Sequence, residues 1–249
     1  MTGWKLQACA LLALVLPIAG SAYGQEPAVE PESIEILRKM GAHLRTLKSF
    51  TLTADTAQDL MLENGMKLQI SGQTSYSVRM PDRLKLEIDT DRQHRIFYYD
   101  GKTVTQFTPE LNYYAQFDAP GTIAETIDLA RKRFGVSLPL ADLFYAGTDE
   151  KALARITTGF LAGETLLDGE WCNHFAYRTA RVDFQLWIRK EGDPLPCELL
   201  TIDRTDPAGP RDDALITIDS NATFEDSVFV FTPPAGARKI EFEPVLGVN

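Results

Sequence analysis

The chain has 249 residues, of which 44% are hydrophobic and 24% are charged, as is usual for a globular protein with a full core. Its formal net charge of −10 argues against a nucleic-acid partner, which needs a basic surface, and against docking on anionic lipid through charge. The length suits one large β domain or two smaller ones and does not decide between them.

Residues 1–24 have the pattern of a secretory signal peptide. Lys5 supplies the positive start, residues 8–16 are apolar, and Ala22-Tyr23-Gly24 is a small-x-small cleavage site. The competing interpretation is an uncleaved membrane anchor, but the apolar run is short for a transmembrane helix. We therefore expect a periplasmic protein that is exported, cleaved near Gly24 and not an integral membrane protein afterwards.

The next two segments are a predicted linker and a predicted helix. Residues 25–32 are polar and rich in proline and glutamate, which is typical of a linker. Residues 33–47 place Ile34, Leu37 and Leu44 on one stripe, with basic residues towards the other side. Such a stripe is most often the face that packs on a core, so we expect this helix to lie against a sheet.

Glycine-containing dipeptides mark the turns between predicted strands. Asn64-Gly65 and Asp100-Gly101 separate alternating apolar runs over residues 50–117, and Asp168-Gly169 does the same further on. These dipeptides are a strong hairpin signal, because both central residues of a type I′ turn need positive φ. The sequence therefore predicts an antiparallel sheet built from hairpins.

The middle of the chain, residues 122–156, changes to a helical period. Thr122 and Glu125 have the spacing of a capping box, Gly135 stands where a helix would end, and Asp149 is a candidate N-cap for a later short helix. We expect a helical insertion between two blocks of strands.

Alternation returns in residues 163–203. Phe175 and Tyr177 alternate with His174 and Ala176, and Leu186 and Ile188 alternate with Gln185 and Trp187. A period of two over successive runs indicates an antiparallel meander with two distinct faces.

The second block of strands is predicted over residues 157–242. Beyond the meander, it includes strands at 214–220 and 227–231 and an edge strand around Ile240 and Phe242. Because no polar linker separates the two blocks, we expect a single domain over residues 33–249 that is mainly β, with an antiparallel sheet and helices (α+β).

The cysteines leave two alternatives open. Cys9 belongs to the signal peptide, so the mature chain keeps Cys172 and Cys197 as candidates for a disulfide in an oxidising compartment. In a simple meander both would lie opposite Ile188 or Arg189 on one middle strand, about 9–10 Å apart, whereas bridged Cα atoms lie within roughly 7 Å. A β-bulge would allow the bridge, and two buried thiols are the alternative.

No motif for catalysis, cofactor or metal binding is present. The three histidines lack the spacing of a zinc protease, and Cys172 and His174 share a strand face without a second pair of ligands. No serine lies in a nucleophile elbow. We predict no catalytic residues, no cofactor and no metal site.

Large aromatic side chains fall on both faces of the predicted sheet, for example Tyr98 beside Tyr99 and Tyr113 beside Tyr114. A sheet that is apolar on both faces needs a cover on each side or a ligand. A packed core with scattered surface tyrosines is the competing interpretation.

Four segments carry a resemblance to a known family. They are 174–178 (HFAYR), 183–188 (DFQLWI), 194–196 (PLP) and 229–237 (FVFTPPAGA). The sequence resembles a family of bacterial predicted periplasmic proteins of unknown function, over essentially the whole mature chain. That resemblance implies the fold of the periplasmic lipoprotein carrier and its outer-membrane receptor (LolA/LolB-like), in which a single curved antiparallel sheet, an incomplete barrel, wraps around an N-terminal helix and a central helical insertion.

Our first hypothesis is a periplasmic, non-catalytic binding or carrier protein for a lipid, a lipoprotein acyl chain or another apolar ligand. The candidate lining residues are Phe97, Tyr99, Leu143, Phe144, Phe175, Tyr177, Leu186 and Ile188. The alternatives are an envelope structural or protein-interaction module without a cavity, and a hydrolase of unknown type.

Overall fold

The computed structural model describes residues 28–119, 121–145 and 147–245. The predicted signal peptide and the first part of the predicted linker lie outside the described residues. The helices are α1 (Pro31–Leu44), α2 (Ile123–Phe134) and α3 (Glu150–Leu153), with 3-10 turns at Pro109–Leu111, Ala141–Phe144 and Asp226–Phe229. The strands are β1 (Ser49–Met61), β2 (Lys67–Arg79), β3 (Arg83–Thr90), β4 (Gln93–Tyr99), β5 (Thr103–Thr108), β6 (Tyr113–Asp118), β7 (Thr158–Leu167), β8 (Glu170–Arg178), β9 (Val182–Arg189), β10 (Pro196–Asp203), β11 (Arg211–Asp219) and β12 (Arg238–Ile240).

These strands form one open, curved sheet in the order β12-β6-β5-β4-β3-β2-β1-β11-β10-β9-β8-β7. The two blocks of strands meet where β1 pairs antiparallel with β11, from Thr51 opposite Asp219 to Gln58 opposite Asp212. The predicted fold class, a mainly β half-barrel with helices, is confirmed. One strand departs from it, because β12 pairs parallel with β6.

Chain reversals occur at all three predicted dipeptides, but Asp168-Gly169 alone of the three has positive φ at both residues, since Asn64 and Asp100 do not. Gly65 and Gly101 have positive φ, and Asp168 and Gly169 have φ values of 46° and 86°. That pair suits a type I′ turn, in which both central residues need positive φ.

Helix α2 begins and ends at the predicted signals. Thr122 and Glu125 make a capping box in which each side chain reaches the other residue's backbone N–H. Gly135 ends the helix at φ 64°. Such caps satisfy backbone groups that helix ends leave unpaired, so the insertion starts and stops where its sequence dictates.

The main core lies on the inner face of the sheet, where the helices cover it. Leu37, Met40 and Leu44 of α1 are buried there, as the amphipathic stripe predicts. The helix begins at Pro31 rather than Ser33, because proline suits the first helical turn, and it ends at Leu44 rather than Leu47. The end of the predicted linker is therefore structured: Val29 bridges to Gly159 on the edge strand β7.

Residues 220–237, the C-terminal strap, cross the outer face of the sheet. Phe229 is fully buried against the guanidinium of Arg79, and Phe231 packs on the rings of Tyr98, Phe107 and Tyr114. The strand predicted at 227–231 is wrong, since a 3-10 turn occupies Asp226–Phe229. Alternating apolar residues here mark buried anchors of a crossing segment rather than a strand.

Candidate functional site

The candidate site is the apolar inner face between the sheet and the helices. The eight predicted lining residues lie on β4, β8 and β9 and in the 3-10 turn Ala141–Phe144, and all belong to the core cluster or pack against it. Seven of them are buried, and Phe144 is partly buried. The structure therefore places the whole set on the inner face, but in separate neighbourhoods.

One small apolar cavity of about 20 Å³ lies between α2 and strands β3 to β6. It is lined by Phe97 and Tyr99 of the predicted set, together with Leu84, Tyr98, Val104, Phe117, Ile123, Thr126, Ile127, Ala130, Val136 and Leu138. A space of this size holds about one water molecule. In this conformation the cavity is a gap in the packing under α2 and is too small for an acyl chain.

A second cavity of about 20 Å³ lies beside Leu143 and Phe144 and is lined further by Leu44, Arg45, Phe50, Leu52 and Met80. The four remaining predicted residues, Phe175, Tyr177, Leu186 and Ile188, line neither cavity and belong to the core cluster that also holds α1. The predicted lining is thus divided among two cavities and a packed region.

Tyrosine hydroxyls fasten the helical cover to the sheet. Tyr177 on β8 donates to the Ser33 carbonyl of α1 at 2.8 Å, and Tyr99 on β4 donates to the Gly121 carbonyl before α2 at 2.6 Å. Tyr76 on β2 donates to the Pro139 carbonyl of the insertion. Burial raises the pKa of Tyr76 and Tyr177 far above the ordinary range, so both stay protonated as donors.

Sequence reasoning missed Tyr76 as a functional residue. It lies on β2 between Thr74 and Val78 on the inner face, and all three are buried. The alternation of this strand is a signal that could have placed it inward, but its partner at Pro139 is 63 residues away. Only the folded arrangement of the insertion reveals that contact.

One buried polar atom faces the cavity under α2. Thr126 is 7% exposed and lines that cavity. The Tyr99 hydroxyl donates to the Gly121 carbonyl, and its oxygen can still accept a hydrogen bond from Thr126.

The cover is thinly packed between α2 and β7. Among the described residues of 134–155, only Leu143 is buried. Phe144 adds ring contacts to Phe50 and Tyr76, with centroids 6.4 and 5.7 Å apart. Its other apolar residues, such as Leu138, Leu140 and Tyr145, pack against the core but are only partly buried. Partly buried contacts contribute less free energy than fully buried ones, so we expect this part of the cover to open more readily than α1 or α2.

An aromatic cluster closes the side of the cavity next to β6. Phe117 of β6, Phe134 at the end of α2 and Phe242 have ring centroids 4.7 to 5.1 Å apart. The sequence predicted that Phe242 lies in an edge strand, but β12 ends at Ile240 and Phe242 follows it. The chain passes β6 at this point, so that the Phe242 ring reaches the inner face. The backbone of Val245 then donates to the Arg133 carbonyl.

The outer face carries the disulfide. Cys172 on β8 and Cys197 on β10 are joined with their Cα atoms 6.7 Å apart. The register of β10 against β9 shifts between Pro196 and Glu198, so Cys197 is the extra residue of a bulge. The simple meander considered for the sequence is therefore wrong here, and the bulge brings the two Cα atoms within bridging distance.

Two described carboxyl groups, Glu198 and Asp212, have a raised pKa, and strand register places them on opposite faces of the sheet. Burial, and then repulsion from Asp213, raises the pKa of Glu198 to about 7. This residue precedes Leu199 of the core cluster, so strand alternation places it on the outer face. In the described ranges, no group of three or more His, Cys, Asp or Glu residues is arranged to hold a metal ion.

A family model described as predicted periplasmic protein (DUF2092) matches residues 33–243. The chain belongs to this family. The DUF2092 description agrees with the periplasmic location expected from the sequence, and the predicted resemblance to a periplasmic family is confirmed. No curated protein matches the sequence significantly.

Solved structures with a similar fold have low sequence identity to this DUF2092 protein. An uncharacterised conserved protein of Thermus thermophilus has 12% identity and a TM-score of 0.48, covering 84% of this chain and 99% of its own. Lipoprotein LppX of Mycobacterium tuberculosis has 14% identity and a TM-score of 0.47, covering 76% and 94%. LolA superfamily protein NE2245 of Nitrosomonas europaea has 10% identity and a TM-score of 0.39, covering 80% and 97%.

Identity and TM-score are low in each of these three cases, so we carry no function over from them. Over the part of the chain that the structure describes, no helix combines the length and apolar character needed to cross a membrane.

Proposed function

We propose that this DUF2092 protein is a periplasmic carrier that holds the apolar chain of a lipid or lipoprotein between the insertion and the inner face of the sheet. The observation that carries the proposal is the thin cover over a continuous apolar face. Leu143 is the only fully buried residue described in 134–155, and a small apolar cavity lies beneath α2. The ligand enters by displacing this cover, because the closed cavities hold about one water each.

The energies permit this displacement. Lifting the cover breaks the hydrogen bonds from Tyr76 to Pro139 and from Tyr145 to Ala124, at about 1 kcal/mol each, and exposes Leu143 and Phe144, at about 1.5–3 kcal/mol each. Partly buried residues such as Leu138 and Leu140 add a smaller cost. An acyl chain that buries about ten CH₂ groups gains roughly 8 kcal/mol. The gain is of the same order as the cost, so reversible loading needs no catalytic group and no cofactor.

Uptake of a fluorescent fatty acid, cis-parinaric acid, by the mature protein tests the proposal. Ala130 of α2 is 5% exposed and lines the cavity under that helix. The substitution Ala130→Leu fills that space and should weaken uptake about tenfold, which corresponds to about 1.4 kcal/mol.

The matched control is Ala152→Leu, the same change at an exposed position of α3. It should leave uptake unchanged, and thermal unfolding of both variants checks that they are folded. No uptake by the unaltered protein, or equal uptake by a folded Ala130→Leu variant, would contradict the proposal.

A second candidate function is binding of a protein partner at the edge strand β7. Leu166 and Trp171 lie opposite each other on β7 and β8, and each is 54% exposed. β7 is the last strand of the sheet, and among the described residues its free edge makes one β-bridge, from Gly159 to Val29. An unpaired strand edge beside exposed apolar side chains suits the addition of a partner strand.

A photo-cross-linking amino acid at position 171, compared with one at the exposed position 89 on β3, tests this candidate in the periplasm. A discrete cross-linked product at position 171 alone, lost with Leu166→Glu, would favour it. The absence of any product at position 171 would exclude it.

A further inference from the structure

The outer face contains a polar groove beneath the C-terminal strap. It lies between strands β5 and β6 on one side and the strap and β12 on the other, with about 390 Å³ of space. This volume is within the range of small-molecule sites. Its lining residues are Asp100, Thr103, Thr105, Gln116, Phe117, Asp118, Val230, Phe231 and Lys239.

Strand register brings the polar side chains together. Thr103 lies opposite Asp118, and Thr105 lies opposite Gln116, so these four share the outer face of the β5–β6 pair. The Gln116 amide donates to Thr105 Oγ1 at 3.0 Å, and Thr105 is 3% exposed. The floor of the groove is therefore an ordered polar surface rather than a set of mobile surface side chains.

The strap supplies an aromatic wall. The Phe231 ring packs on Tyr98, Phe107 and Tyr114, with ring centroids 5.1 to 5.5 Å apart, and it also borders the groove. These contacts fix the ring before any ligand arrives. Lys239 of β12 borders the groove as its one cationic side chain.

Several hydrogen-bonding groups of the groove are unused. Asp100 Oδ1 accepts hydrogen bonds from the backbone N–H groups of Lys102 and Thr103, which leaves Oδ2 available to accept from a ligand. The Asp118 carboxylate, the Lys239 ammonium and Gln116 Oε1 make no hydrogen bond or ion pair with other described residues. Acceptors and donors are thus both available, in a groove with two carboxylates and one ammonium.

We propose that this groove binds a neutral, hydroxyl-rich ligand, a sugar or a similar polyol. Asp100 and Asp118 would repel an anion, and Lys239 would repel a polycation. An apolar chain would leave the polar groups of the floor without hydrogen-bond partners. Sugar hydroxyls donate and accept, which matches the mixed set of partners. The apolar face of a sugar ring packs on an aromatic side chain, here Phe231.

This site is separate from the proposed carrier function, because the groove and the acyl-binding space lie on opposite faces of the sheet. Failure of one proposal would therefore not contradict the other. Saturation-transfer NMR and calorimetry with the mature protein would measure binding of glucose, N-acetylglucosamine, maltose and trehalose, with inorganic phosphate and spermidine as charged probes.

We expect at least one of the four sugars to bind and neither charged probe to do so. Asp118→Ala and Lys239→Ala change exposed side chains, and each should weaken binding of that sugar about tenfold. The control Asp89→Ala, an exposed carboxylate on the same face outside the groove, should have no effect. No binding of any of the four sugars at millimolar concentration, preferential binding of phosphate or spermidine, or sugar binding unchanged by both groove variants would overturn the proposal.

Discussion

The disulfide between Cys172 and Cys197 should supply a large part of the stability of the second block of strands. It closes a loop with a sequence separation of 25 residues and ties β8 to β10 across β9. Restricting the unfolded chain by a loop of this length contributes about 3.5 kcal/mol to the free energy of unfolding. For a chain of this size, that corresponds to a fall in Tm of roughly 10 °C when the bridge is removed.

Urea and thermal unfolding of the mature protein, with and without a thiol reductant, measure this contribution. Thiol titration of the denatured, unreduced protein should find no free cysteine, and reduction should release both. The double variant C172A/C197A should match the reduced protein and should not respond to reductant. Equal stability with and without reductant, or free thiols in the unreduced protein, would refute the reasoning.

Three further changes should alter stability in defined ways. Tyr177→Phe removes the hydrogen bond from the Tyr177 hydroxyl to the Ser33 carbonyl of α1 and should lower the free energy of unfolding by about 1 kcal/mol in urea, whereas an unchanged value would show that this hydrogen bond contributes nothing. The pKa of Glu198 is raised to about 7 in the folded protein, so the fold loses stability as pH rises from about 4.5 to 7. Glu198→Gln should therefore raise the free energy of unfolding by about 1 kcal/mol at pH 8 and not at pH 4. Equal effects at both pH values would contradict this. Phe242→Ala removes one ring of the cluster beside α2 and should cost about 1–2 kcal/mol while raising the hydrogen exchange of α2; unchanged exchange would mean that Phe242 does not hold the helix.

Local chemistry accounts for the parts of the fold that could be predicted from the sequence. The turn at Asp168-Gly169 and the capping box of Thr122 and Glu125 depend on residues within a few positions of one another, so their signals are complete in the sequence. Alternation likewise placed Phe175 and Tyr177 on the buried face of β8.

Features that join distant segments could not be predicted in this way. The bulge at Cys197 depends on how β10 meets β9, and the strap depends on Phe231 reaching rings on β4, β5 and β6. For the candidate site, alternation and apolar character selected inward-facing residues such as Phe97 and Leu186. They could not show which of these border a cavity, because that is decided by the position of the insertion, whose contact from Tyr76 to Pro139 spans 63 residues.

Native mass spectrometry of the mature protein, purified from periplasm without detergent and then extracted with organic solvent, tests the carrier function most directly. The account predicts a stoichiometric adduct whose mass matches a lipid or acylated species in the extract, and loss of that adduct in Ala130→Leu but not in Ala152→Leu. A ligand-free mass for the unaltered protein, together with no uptake of cis-parinaric acid, would contradict it.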